Sequence, residues 1–239
     1  VTVAAFGAAL STATDTGPPC YARTVNDWLC WDYVVDYAPE LREATVQHIA
    51  LTAASVVLGL VLALVLAIAA RNRPRWRAAL LSGTTIVYTI PSLALFALLV
   101  PWTGLSAATV VVGLGLYSLS ILVRNVLAGL DGVPDEVHEA ARGLGYSTTR
   151  MLARIEMPIA VPVIVAGLRV ATVSTVAMVT LGTIVSYGGL GNMLATGIDD
   201  TFKAQVLTTS VLCVLLAVVF DLVVVGVGWL LTPWSRRSS

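Results

Sequence analysis

Arg169 and Asp221 each interrupt an otherwise apolar run. An ionisable side chain in such a setting is expensive, and it is normally paired, aimed at a watered cavity, or used to carry charge. Other residue types with chemical potential are sparse. The chain has three cysteines (Cys20, Cys30, Cys213) and two histidines (His48, His138), too few in any one stretch for a four-ligand zinc site. "HEAAR" at His138 to Arg142 falls one residue short of HExxH, because Arg142 stands where the second histidine must be. Lys203 is the single lysine and follows Phe202, so no phosphate-cradling Gly-Lys pair exists. "GGLGNML" lacks the third glycine and the strand context of a dinucleotide loop. Clustered His, Cys or carboxylates that would equip an intramembrane enzyme are lacking in the apolar runs. No catalytic, metal-binding or cofactor-binding set is expected on this chain.

The elements that must hold Arg169 and Asp221 are long and oily. Of 239 residues 57% are hydrophobic and 12% charged, the net charge is zero, and mean hydropathy is +0.87. A neutral chain gives no electrostatic case for nucleic acid. Five apolar stretches are long enough to cross a bilayer: about Thr45 to Ala70, Ala78 to Val100, Ser106 to Leu130, Pro158 to Ser186 and Val206 to Leu231. They are read as helices, since backbone groups in lipid must pair internally and no barrel-like alternation is present. Arginines cluster after the first span (Arg71, Arg73, Arg75, Arg77), after the third (Arg142, Arg150, Arg154) and after the fifth (Arg236, Arg237). Positive residues stay in the cytoplasm, so the N-terminus is expected outside and the C-terminus inside. The expected organisation is an extracytoplasmic segment over 1–44, a transmembrane domain over 45–231 and a cytoplasmic tail over 232–239.

One cytoplasmic stretch breaks the pattern, residues 134–158. Pro134 suits a first helical position, with Asp135 and Glu136 at the positive end of the helix. Val137, Ala140, Ala141 and Leu144 recur at helical spacing and predict one apolar stripe. Gly143 and Gly145 supply a stop and a turn. Ser147 is placed to cap a second helix, in which Met151, Leu152 and Ile155 share a face. Pro158 is expected to end that helix at the membrane surface. Glu139 and Arg142, on the other face of the first helix, are left to water or to a partner. A helix laid in a partner's groove is a common recognition mode.

Glu139-Ala140-Ala141, then Gly145, Ile155 and Met157-Pro158 at their spacings, resemble the EAA signature of ABC-importer permeases; Met157 stands where that pattern usually has Leu. "HIALT" (His48 to Thr52), "IPSLALFALLVP" (Ile90 to Pro101), "RNVLAGLDGVP" (Arg124 to Pro134) and "GGLG" (Gly188 to Gly191) look like the subfamily that imports glycine betaine, choline, carnitine, proline betaine and related osmoprotectants. The resemblance runs from about Leu41 to the C-terminus. It implies an all-α polytopic membrane protein of the type I ABC-importer permease fold, with about five core transmembrane helices and a cytoplasmic coupling helix pair. It implies a place in a bacterial cytoplasmic (inner) membrane. It assigns Glu139, Ala140, Ala141, Arg142, Gly145, Ile155 and Pro158 to coupling with a separate ATPase subunit, which binds ATP and Mg. It also implies a second permease subunit, the same chain or a similar one, and an extracytoplasmic substrate-binding protein.

The residues themselves nominate a pathway or intramembrane polar network. Arg169 lies eleven residues after Pro158 and Asp221 eleven before Thr232, so both reach about 16 Å from the same end and are expected to pair. Pairing serves either to brace the helices or to gate the pathway. Tyr88 offers an aromatic face for a quaternary ammonium ion or simply packs. Pro91 is expected to kink span two, near Ser92; Ser174 and Met178 sit in span four. Arg124 is expected to snorkel from the end of span three. Outside, Cys20 and Cys30 can close a short disulfide loop in an oxidising compartment. Trp28, Trp31, Tyr33 and Tyr37 suit the headgroup layer. Asp199 and Asp200 mark a loop that is either solvated or docked by a binding protein. Importers of methionine or polar amino acids remain open as alternatives. So does an ion-coupled carrier using Asp221 and Arg169, although such carriers usually carry repeats and none is visible.

Overall fold

The computed structural model describes residues 18–233, and every regular element among them is helical. In chain order these are α1 (Trp31–Asp36), α2 (Ala38–Ala70), α3 (Pro74–Thr89), α4 (Ser92–Thr103), α5 (Ala107–Asp131), α6 (Asp135–Gly143) and α7 (Thr148–Met151). A π-helical turn (Leu152–Glu156) leads into α8 (Met157–Val179) and a 3-10 turn (Thr180–Val185), followed by α9 (Leu190–Asp199) and α10 (Lys203–Leu231). Four continuous runs among the described residues are long and apolar enough to cross a membrane, and the bent pair α3 and α4 meets the same requirement only when its two helices are taken together. The second expected span is therefore not one helix. It turns by 101° at Ile90–Pro91. Proline has no N–H to continue the helix and pushes its predecessor into extended backbone, and Ile90 has ψ 128. The Tyr117 hydroxyl donates to the Ile90 carbonyl at that break.

α5 is the centre of the bundle. Leu119, Leu122, Val123, Val126, Leu127 and Leu130 face Ala63 and Ala67 of α2 and Ala160, Ile164 and Ala171 of α8. Small residues let these backbones approach, as they do where lipid cannot drive helices together by hydrophobicity. At Gly129 an added methyl group would stand 2.9 Å from the Ala160 carbonyl oxygen. Towards the other end, Leu51, Phe96, Val110, Leu114, Val179 and Val185 form a second packed layer.

Pro158 does not end a helix. Residues 148–185 form one continuous 38-residue helical run with Pro158 in the first turn of α8. The π-helical turn just before it widens the hydrogen-bond ladder, which accommodates a residue that cannot donate. The predicted second short helix is thus the projecting foot of α8. The segment before α2 is folded too. Cys20 and Cys30 form a disulfide, and Asn26 bridges the α9–α10 turn by donating to the Thr201 carbonyl (2.9 Å) and accepting from the Lys203 amide (3.0 Å). Tyr33 is wholly buried. It stacks on Tyr37 at 4.6 Å and meets Phe202 edge-on at 5.1 Å. Tyr33 and Tyr37 therefore belong to a protein core and not to a headgroup belt, whereas Trp28 and Trp31 are exposed. α2 already begins at Ala38, seven residues before the first expected span. The parts of the terminal segments at 1–17 and 234–239 lie outside the described residues.

Candidate functional site

α6 stands at the end of the bundle where α2, α5 and α8 converge. Pro134 is its N-cap and not its first residue, with Asp135 and Glu136 in the first turn and Arg142 in the last. The helix closes in a Schellman turn. The Tyr146 amide donates to the Ala141 carbonyl (3.0 Å) and the Gly145 amide to the Arg142 carbonyl (2.9 Å). This motif wants a left-handed residue at the position after the cap, and Gly145 has φ +79 there. Ser147 then caps the next turn by accepting from the Arg150 amide at 3.4 Å, and the Arg150 guanidinium lies 4.8 Å over the Tyr146 ring. Met151 is buried, while Leu152, Ile155 and Pro158 are half-buried.

The apolar stripe predicted for α6 is only partly covered. Ala141 is 2% exposed and Val137 half-buried, but Leu144 is 78% exposed and Ala140 is open. A nine-residue helix perched on a bundle end touches it along one edge. The other edge offers Glu139, Ala140, Arg142 and Leu144 outward as one mixed apolar and charged strip.

What fastens this perch is a residue the sequence reading missed. Glu156, in the π-helical turn, pairs with Arg71 at the end of α2. Its other oxygen lies 3.5 Å from His138 Nε2 of α6. The Glu156 and Arg71 side chains are 9% and 12% exposed. A second clasp joins Arg77 of α3 to Asp131 of α5, with one hydrogen bond of 2.7 Å. The signal available was a lone carboxylate next to an apolar run on the arginine-rich side, and its partners are far off in sequence.

The nominated intramembrane residues do not form one linked set among the described residues. Arg169 of α8 and Asp221 of α10 are joined by two hydrogen bonds of 2.8 Å, Nε to Oδ1 and Nη2 to Oδ2. This fork-on-carboxylate geometry is the strong form of the interaction. Tyr88 lies elsewhere, half-exposed on α3, edge-on to Tyr117 of α5 at 5.7 Å. Pro91 and Ser92 follow at the break beside it. Arg124 does not snorkel freely, because it donates to Thr85 Oγ1 at 2.6 Å. Ser174 and Met178 remain on α8, with Met178 packed on the layer around Phe96. Among the described residues no hydrogen bond, ion pair or ring contact links Tyr88 to Ser174, Met178 or the Arg169–Asp221 pair. Tyr117 was also missed by the sequence reading.

At the opposite end the disulfide cap covers α9 and α10. Tyr21 donates to Asp36 at 2.8 Å, and this bond to a carboxylate holds its pKa above the usual phenol value. Burial pushes Tyr33 up to about 12. Between cap and turn lies an open cavity of about 680 Å³, lined in part by Arg23, Asn26, Asp199 and Asp200.

Residues 55–237 match the family described as "Binding-protein-dependent transport system inner membrane component". The osmoprotectant import permease protein OsmW of Salmonella typhimurium is 33% identical over 86% of this chain and 98% of its own. The glycine betaine/carnitine/choline transport system permease protein OpuCB of Bacillus subtilis is 29% identical over 81% of this chain and 89% of its own. Among solved structures, an inward-facing form of the MetNI methionine ABC transporter contains a similar chain, with a TM-score of 0.72 and 20% identity. The match covers 82% of this chain and 98% of that one. At that identity the likeness speaks for the fold alone.

Proposed function

This chain belongs to the family of binding-protein-dependent transport system inner membrane components, and from that premise we propose how it works within an osmoprotectant importer. It is a multi-pass permease subunit of the inner membrane, and its relatives carry quaternary ammonium solutes. Glycine betaine, choline and carnitine are the cargo class that fits. ATP and Mg are held by separate cytoplasmic ATPase subunits, and the permease itself catalyses nothing. A second permease subunit completes the pathway, and a binding protein delivers solute at the end closed by the disulfide cap. The arginine-rich end carrying α6 faces the cytoplasm.

One observation carries this reading. The outward strip of α6 (Glu139, Ala140, Arg142, Leu144) is held by a glycine turn and clasped through Glu156 to α2 and α8. A nearly rigid handle of this kind transmits a push on α6 into the spans. A free surface helix would swivel and dissipate it. Alternating access then follows from motion of α2 and α8 against the pathway helices.

The test is reconstitution with ATPase and binding protein, reading ATP hydrolysis stimulated by solute-loaded binding protein. Glu139→Lys inverts a charge on the strip, and Gly145→Trp forces a bulky residue into a left-handed backbone position. Both are expected to abolish stimulation and uptake while the protein remains in the membrane. Normal ATP-driven uptake by both variants overturns the handle. Absence of stimulation by any quaternary ammonium solute, with another solute effective, overturns the cargo class.

A further inference from the structure

The turn between α2 and α3 carries four arginines, and two of them are consumed by the fold. Arg71 is taken by Glu156 and Arg77 by Asp131. Arg73 and Arg75 are exposed and meet no carboxylate among the described residues. Arg73 stands at the mouth of a groove of about 400 Å³ between the end of α2 and the start of α3. Its walls are Leu66, Ala69, Ala79 and Leu80, with Trp76 at the same mouth. The alanines leave the slot open, and Trp76 is 66% exposed.

We propose that this groove binds an anionic phospholipid of the adjacent leaflet, one acyl chain lying in the slot and the phosphodiester on Arg73 and Arg75. Three features select a lipid over a protein segment. The α2 wall continues up the helix as the exposed apolar stripe Val57, Val61 and Val65, so the slot opens onto a surface that faces hydrocarbon. An exposed indole beside a basic cluster is the usual composition of a membrane interface. The uncommitted guanidinium of Arg73 lines the groove, with exposed Arg75 two residues on in the chain, and guanidinium binds phosphate through paired N–H donors; the cytoplasmic leaflet supplies anionic headgroups. The neighbouring Arg71 and Arg77 clasps make the site a contact between the leaflet and the α6 end. This assignment does not depend on the cargo or on the ATPase.

Lipid binding to the purified chain tests it. Native mass spectrometry is run with phosphatidylglycerol and with phosphatidylcholine of the same acyl chains. Phosphatidylglycerol is expected to be retained preferentially. Each charge near an anionic surface is worth about fivefold in binding, so the double variant Arg73→Gln/Arg75→Gln weakens retention about 25-fold. Ala69→Trp fills the slot without changing charge and is expected to weaken retention as well. Because both arginines are exposed and unpaired, the double variant keeps its fold and suffices if Ala69→Trp does not. Equal retention of the two lipids, or phosphatidylglycerol retention unchanged in the double variant, overturns the proposal. So does a disulfide between two copies of an Ala69→Cys variant in bilayers, which makes the groove a subunit contact.

Discussion

Replacing Glu156 by Gln removes one charge from the clasp and changes almost nothing in volume. Residue Glu156 is 7% exposed, and it binds Arg71 of α2 and approaches His138 of α6 from a single turn. Breaking a fully buried ion pair by removing one partner costs about 3–5 kcal/mol, mostly for the stranded charge. Here both side chains keep about a tenth of their exposure, and the Gln carbonyl still accepts from Arg71. A cost of about 2 kcal/mol is therefore expected, roughly 30-fold in an equilibrium constant. The clasp seats α6, so the cost falls on local opening and not on the whole bundle. Hydrogen exchange of the α6 amides should accelerate about 30-fold, while amides in the middle of α5 stay unchanged. Arg71→Met alone should act in the same direction, and the double variant should cost less than the two singles summed, because both remove the Arg71–Glu156 pair. Stimulated ATP hydrolysis should fall in both single variants with basal hydrolysis kept. Unchanged α6 exchange in Glu156→Gln, or single effects that simply add in the double variant, would refute the clasp.

Arg169→Leu and Asp221→Leu should each lower the yield of folded protein, and the double leucine variant should restore both folding and uptake if the pair braces α8 against α10; a folded but inactive double variant would make it a gate. Gly129→Ala should destabilise by about 1–3 kcal/mol in thermal melts, because the Ala160 carbonyl blocks the new methyl and outweighs the roughly 1 kcal/mol that alanine gains in helix propensity; a melt at or above the original temperature sinks the close-packing argument. Cys20→Ser opens a loop with a sequence separation of 10 and should loosen the cap by about 2–3 kcal/mol. Faster proteolysis between residues 20 and 30, with α5 unaffected, is the expected readout, and equal cleavage rates would assign the disulfide no role in holding the cap.

Helix-forming segments were legible because lipid imposes a crude rule, length and apolarity, that leaves little to tertiary context. The glycine turn and the Ser147 cap were legible for a similar reason, being fixed by neighbours along the chain. What escaped depended on partners distant in sequence. Pro91 announced a kink, but the 101° bend and the Tyr117 hydroxyl, 27 residues from Ile90, that satisfies the Ile90 carbonyl there had no local signal. Pro158 read as a stop because a helix interior excludes proline. The π-helical turn that accommodates it has no local signature. Tyr33 fitted an interfacial belt by composition and instead fills a core made with Phe202, 169 positions away. Arg169 and Asp221 form the instructive exception. Two opposite charges in oil have so few ways to be tolerated that equal depth alone was enough to pair them.

The two ends of the molecule are held by different kinds of contact. At the cap end the connections include a disulfide, stacked rings and backbone hydrogen bonds to Asn26, none of which needs an ionised carboxylate or arginine to persist. At the α6 end ion pairs, Arg71 with Glu156 and Arg77 with Asp131, are added to the apolar packing of Ala67, Leu130 and Ala160. Apolar packing between membrane helices resists rotation through many small contacts. An ion pair at a helix tip adds one fixed point to that packing. The bundle end that carries the handle is thus pinned by charge as well as by packing, and the other end is covered by a disulfide-closed segment held to α9 and α10 through uncharged contacts.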